Sequence, residues 1–249
     1  MTIKTLLLND LHLEYSEFPI LPEHLENLDL VIAAGDIGVK LVGVKYLNRL
    51  SEQFFDLNIP ILYILGNHEY YGAIYPNIKN EIVSNAGSEV IILDNSTFTI
   101  GETLFIGSTL WSNTSIATDE SLYYVNDYRY ISIQKESLSG TRIITKNISP
   151  RYIDALHYTA KNYIFSKIEE LRDSYNKICI ITHHAPSFKS IPKVDQFTPY
   201  FASDLTEQIL NTDIDLWIHG HTHIPIEYKI RNTKIISKFG ISDENIIKI

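Results

Sequence analysis

An apolar run of strand length, Ile61-Leu62-Tyr63-Ile64-Leu65, stops at Gly66 and passes directly into Asn67-His68-Glu69. A buried strand that ends in hydrogen-bonding side chains delivers chemistry to the end of a sheet, where open α/β folds place their sites. The pattern recurs. Residues 5–8 run into Asn9-Asp10-Leu11-His12, residues 28–34 into Gly35-Asp36, residues 177–181 into Thr182-His183-His184, and residues 214–218 into His219-Gly220-His221-Thr222-His223. Continuous apolar runs suit strands covered on both faces, so a chain of this kind must build layers on either side of its sheets.

The intervening segments supply those layers. Leu41, Val44, Leu47, Ser51 and Phe54-Phe55 recur at helical spacing and predict a helix over 40–56. Ile78, Ile82 and Val83 predict another that closes before Gly87. Ser149-Pro150 is a helix start, with serine as cap and proline in the first turn. Ile153, Leu156, Ala160, Ile164, Ile168, Leu171 and Tyr175 mark one face of the long helix behind it. Ser203 is expected to cap a short helix holding Leu205, Ile209 and Leu210. Residues 90–93, 97–100 and 103–109 read as closely spaced β segments, with Gly101-Glu102 as a hairpin turn. A second hairpin is expected around Arg231-Asn232, and a last short strand fits 245–249. These hairpins predict more antiparallel pairing in the second half. Residues 19–27 and 111–149 are read as loops, the latter with some helix and lying over the site.

The 249 residues carry no linker and no repeat, so 1–249 are expected to form a single domain. A net charge of −9 argues against a broad basic face for duplex nucleic acid. It allows a small phosphorylated substrate, because bound divalent cations reverse the local sign. The single cysteine, Cys179, has no partner for an intramolecular disulfide and reads as a buried thiol in an apolar run. The apolar stretch at the N-terminus is too short for a signal peptide, and no segment approaches the ~20 residues that span a bilayer. The expectation is a cytoplasmic protein with no membrane partner.

Asp10, His12, Asp36, Asn67, His183, His221 and His223 are the candidate metal ligands. Mixed carboxylate, imidazole and amide oxygen suits manganese, iron, zinc or similar ions rather than a soft thiolate site. So many donors exceed the needs of one such ion and suit two if a carboxylate bridges them; Asp36 is the bridging candidate. Paired ions roughly 3.5–4 Å apart can clamp a phosphate and activate a water.

Taken in order, Asp10-Leu11-His12, Gly35-Asp36, Gly66-Asn67-His68-Glu69, His183 and Gly220-His221-Thr222-His223 resemble the motif series of the calcineurin-like metallophosphoesterase superfamily, spanning residues 10 to 223. The resemblance implies an α/β fold, a four-layer αββα sandwich of two mixed β-sheets flanked by helices. It implies one divalent ion at Asp10, His12, Asp36 and His223 and another at Asp36, Asn67, His183 and His221, manganese first, with iron, zinc, nickel or magnesium as alternatives. It further implies hydrolysis of phosphomonoesters or phosphodiesters by a metal-bound hydroxide, with His68 as leaving-group acid or transition-state stabiliser. The partner would be a small phosphorylated or nucleotide-like substrate. A nuclease or a cyclic-nucleotide phosphodiesterase is the alternative, and a non-catalytic binding scaffold on the same fold a remoter one. Two departures stand out. Asn9 replaces a common serine, which should matter little. Asp36 is followed by Ile37-Gly38-Val39 rather than the Asp-Arg-Gly of the protein serine/threonine phosphatase branch.

Other candidates are weaker. Arg129 could meet a substrate phosphate bidentately or pair with a neighbouring acid. His184 could orient substrate or bond its neighbours. His219, Asp127 and Glu69 are read as supporting residues, His24 and His157 as surface or helix-packing ones. Trp111, Tyr70, Tyr71, Tyr123 and Tyr124 could stack on a ring but more often belong to a core.

Overall fold

Apolar residues fill the central strands because both faces of those strands are buried. The computed structural model describes residues 2–15, 27–53, 58–117, 124–137, 142–240 and 242–249. Its strands are β1 (Lys4–Leu8), β2 (Leu30–Ala34), β3 (Ile61–Ile64), β4 (Ala73–Tyr75), β5 (Val90–Ile92), β6 (Ser96–Ile100), β7 (Thr103–Ser108), β8 (Ile131–Glu136), β9 (Ile143–Asn147), β10 (Lys177–Thr182), β11 (Leu216–Ile218), β12 (Ile226–Ile230), β13 (Thr233–Ser237) and β14 (Ile246–Lys248). Its helices are α1 (Val42–Gln53), α2 (Asn77–Asn85), α3 (Asp127–Tyr130), α4 (Pro150–Leu171), α5 (Thr198–Phe201) and α6 (Thr206–Leu210).

One sheet runs β14-β1-β2-β3-β5 and a second β12-β13-β11-β10-β7-β6. Alternation along each strand divides the core in three. From β2, Leu30, Ile32 and Ala34 pack between the sheets against Phe105, Cys179 and Ile181. Val31 and Ala33 join Val44 and Leu47 of α1 and Ile78 and Ile82 of α2. From β10, Ile178 and Ile180 face Ala160, Ile164 and Ile168 of α4. The result is helix, sheet, sheet, helix, with both sheets mixed. β1, β2, β3 and β5 are parallel, as are β7, β10, β11 and β13, so the carboxyl ends within each set share one edge.

Several expectations are corrected here. A third sheet, β4-β8-β9, occupies part of the 111–149 stretch read as loops. Its Ile131 and Ile133 join the core against α1 and α2, while β9 is exposed throughout. The antiparallel hairpins at Gly101 and Arg231 form as expected, yet four central strands of the second sheet are parallel. Ser149 precedes α4 but its side chain does not cap it. Ser203 accepts from the Asn113 amide, and it is Asp204 that accepts from the amide and hydroxyl of Thr206 at the start of α6. The expected helical Phe54-Phe55, most of the 19–27 loop, His24 and Tyr123 lie outside the described residues.

Ile180 is 0% exposed, so Ile180→Ala should destabilise the fold by about 2–5 kcal/mol in denaturant titration. Ile143→Ala, at a residue 70% exposed, should stay within about 0.5 kcal/mol of the parent. Equal effects would show that the sheet–α4 contact is not a packed core.

Candidate active site

The loops after β1, β2, β3, β10 and β11 converge at one sheet edge. Their backbone is unusual. Asp10, His12, Asp36, His221 and His223 have φ of 55, 47, 52, 66 and 53°. A left-handed conformation costs a non-glycine residue on the order of 1–3 kcal/mol and persists only where surroundings impose it. At Asp10-Leu11-His12 it brings side chains two residues apart into one cluster, and at His221-Thr222-His223 it turns two histidines into neighbouring clusters. Gly35, at φ 91°, is required for a second reason: a Cβ there would run into the His183 imidazole.

Asp10, His12, Asp36 and His223 offer donor atoms all within 4.8 Å of one another, and so do Asp36, His183 and His221. Asp36 belongs to both clusters. Its Oδ2 lies 3.9 Å from His12 Nε2 and its Oδ1 lies 3.3 Å from His183 Nε2. Several of these atoms lie directly against one another. His12 Nε2 is 2.9 Å from His223 Nε2, and His183 Nε2 is 3.1 Å from both His221 Nδ1 and Asn67 Oδ1. Ligand atoms gathered this closely fit shared divalent cations, as does the hard-to-borderline donor set.

The electrostatics agree with that fit. Burial pushes the Asp10 carboxyl up to about 6, with Asp36 adding to the rise. Burial also opposes ionisation of Asp36, but His183, His68 and His221 hold its carboxyl well below the usual range. His183 would be lowered by burial, yet Asp36 and Asp10 raise it to about 10. Two buried carboxylates here demand nearby positive charge.

Supporting residues fix the donors. The Asn67 amide nitrogen donates to Asp127 Oδ1 at 2.8 Å, which turns the amide oxygen toward His183. Tyr71 donates to the same oxygen at 2.7 Å. Glu69, 0% exposed, accepts from Gly66 N at 2.7 Å, Ile37 N at 2.8 Å, Asp36 N at 3.1 Å and the Tyr63 hydroxyl at 2.7 Å. Burial and Asp36 raise its carboxyl above the usual range while these donors oppose the rise. Asn9 matters more than expected, because its amide donates to Asp10 Oδ2 at 2.8 Å and to the Lys238 carbonyl. His219 bonds Ser190 at 2.9 Å, and His157, buried on α4, bonds the carbonyls of Leu110 and Trp111.

His68 stands beside the clusters. Its Nδ1 is 2.7 Å from Glu14 Oε1 and its Nε2 is 4.0 Å from Asp36 Oδ2. Burial lowers its pKa, but Glu14 and Asp36 outweigh that and leave it raised. The His12 and His68 contacts hold the Glu14 carboxyl down at about 2 against the opposing effect of burial. Sequence reading overlooked Glu14, although an acid two residues beyond a candidate ligand histidine is a visible signal.

The remaining candidates stand apart. His184 is buried behind His221, with ring centroids 4.2 Å apart and Nδ1 toward the Thr109 carbonyl. Arg129 is exposed on α3, whose neighbours Asn126 and Asp127 line the cavity that Arg129 does not. Trp111 and Tyr70 are core residues, whereas Tyr71 and Tyr124 reach the cavity.

Asp127→Ala should weaken Mn²⁺ binding by about 10–100-fold in calorimetry, since it frees the Asn67 amide to rotate. Unchanged affinity would mean that Asp127 does not orient Asn67.

Comparison with known proteins agrees with this architecture. The family model for calcineurin-like phosphoesterases matches residues 3–225. An uncharacterized protein of Acanthamoeba polyphaga mimivirus is 28% identical over 270 residues, covering 95% of this chain and 90% of that protein. The crystal structure of a phosphopantetheinyl hydrolase from Mycobacterium tuberculosis is similar with a TM-score of 0.66 at 14% identity, covering 99% of this chain and 95% of that one. A dimetal phosphatase from Danio rerio is similar at 0.55 and 10% identity, with 96% and 87% covered. At these identities the solved structures speak for the fold alone. The match over residues 3–225 establishes that the chain belongs to the calcineurin-like phosphoesterase family of metal-dependent hydrolases.

Proposed function

We propose that this chain hydrolyses phosphate esters of small, nucleotide-like molecules at a dinuclear centre. The observation that carries the reading is Asp36, whose two oxygens face separate donor clusters. Asp10, His12, Asp36 and His223 would hold one divalent cation, and Asp36, Asn67, His183 and His221 the other. Such a pair supplies charge for the phosphoryl oxygens and an activated water. Manganese is the first choice to test.

The chain's own residues provide the rest. A cavity of about 540 Å³ opens over Asp36, Asn67 and His68, a size suited to a small ligand. Tyr71, Tyr124, Phe197 and Phe201 line it and offer ring faces to an apolar leaving group. His68 borders the same cavity and can hold a proton at Nε2 for the departing oxygen. The similarity to a protein named as a phosphopantetheinyl hydrolase supports a small phosphorylated substrate. Pairing of β14 with β1 supports treating residues 1–249 as one domain.

Metal content and turnover of p-nitrophenyl phosphate and bis-p-nitrophenyl phosphate with Mn²⁺ test the reading. Monoester turnover alone would remove the diesterase alternative, and no metal with no turnover would leave the scaffold. Asp36→Ala should lose both equivalents of metal by elemental analysis. His68→Ala should keep them and turn over an alkyl phosphate, whose leaving alkoxide needs a proton, about 10²–10⁴-fold more slowly. A His68→Ala enzyme fully active on that alkyl phosphate would refute the role given to His68.

A further inference from the structure

We propose that Glu14 is a positioning residue that sets the ring orientation of both His12 and His68 through one carboxylate oxygen. Glu14 Oε1 lies 2.7 Å from His68 Nδ1 and 3.4 Å from His12 Nδ1, and the two Nδ1 atoms are 3.2 Å apart. Two ring nitrogens at that separation bond each other only if one lacks its proton. A common acceptor lets both carry one. Each neutral ring then has a bare Nε2, which in His12 leaves a lone pair for a cation and in His68 is the atom that takes up a second proton before giving it to the departing oxygen. That atom of His12 points to His223 and Asp36, and that of His68 lies on the Asp36 side. One acid therefore ties a metal-ligand candidate to the proposed leaving-group acid, a link that rests on the function proposed above. The Tyr71 ring, 4.3 Å from that of His68, limits rotation from the other face.

Glu14, His12 and His68 also lie close enough to suggest a third cation among them. Their geometry favours hydrogen bonding instead. Ligands around a tetrahedral ion with bonds of ~2.0–2.1 Å sit about 3.3 Å apart, and the 2.7 Å contact of Glu14 with His68 is shorter.

The decisive comparison is Glu14→Gln against the parent and His68→Ala, with metal content, melting temperature and two esters of unlike leaving group. p-Nitrophenolate departs without a proton, whereas an alkoxide needs one. Glu14→Gln should retain the parent's melting temperature and, at saturating Mn²⁺, its metal content, while its Mn²⁺ affinity in calorimetry falls by about 10–100-fold because His12 is no longer held. Its kcat should fall by about 10–100-fold on an alkyl phosphate and by less than about 3-fold on p-nitrophenyl phosphate, with KM little changed. Long-range ¹H–¹⁵N spectra of the metal-free protein give a readout independent of turnover. The parent should show His68 protonated at Nδ1, and Glu14→Gln a mixture of tautomers. Equal losses on both esters, an unaltered tautomer, or an unchanged Mn²⁺ affinity would overturn the proposal. If His68→Ala discriminates between the esters and Glu14→Gln does not, the role of Glu14 alone falls. If the parent cleaves neither ester, the phosphoesterase reading falls with it.

Discussion

The buried carboxylate of Glu69 is the interaction on which the site's geometry depends. It gathers amide protons from Gly66, Asp36 and Ile37 and the hydroxyl of Tyr63, so the turns after β2 and β3 are fastened to one group. Those turns carry Asp36, Asn67 and His68. Removing a carboxylate that satisfies several buried donors leaves each of them unpaired, at about 1–3 kcal/mol apiece. The fold thus stores part of its stability in the polar shell directly beneath the chemistry.

Two packed sheets make such a shell possible. Parallel strands deliver their ends to a common edge, and the close approach of the sheets brings β1, β2 and β3 of one against β10 and β11 of the other. Left-handed residues then bend side chains back across the seam between them. The strain is tolerated because neighbouring strands and hydrogen bonds leave no alternative path. The His221 amide, for example, donates to Asp10 Oδ1 at 2.9 Å across that seam.

Much of this was legible in the amino-acid order. Apolar runs ending in Asp, His and Asn announce strand ends and candidate ligands together, and the structure gathers all seven of those side chains at one edge. The long face of α4 was equally plain in its spacing. The third sheet was not. β8 alternates over only a few residues, and β9 is exposed at every position, so packing rather than pattern decides that they pair. The expected cap of α6 failed because Leu205 occupies the capping position and offers no side-chain acceptor, while Ser203 bonds the Asn113 amide and Asp204 accepts from Thr206 two residues on. Arg129 fits phosphate chemistry by residue type, and nothing in its local sequence says that its neighbours Asn126 and Asp127, rather than Arg129, line the cavity.

The two donor clusters differ in access to water. The His223 side chain is 47% exposed, whereas that of His183 is 0% exposed. An ion held at the first cluster would meet solvent on its His223 side, whereas an ion held by His183, Asn67 and His221 would meet it only through the cavity that Asn67 and His221 line.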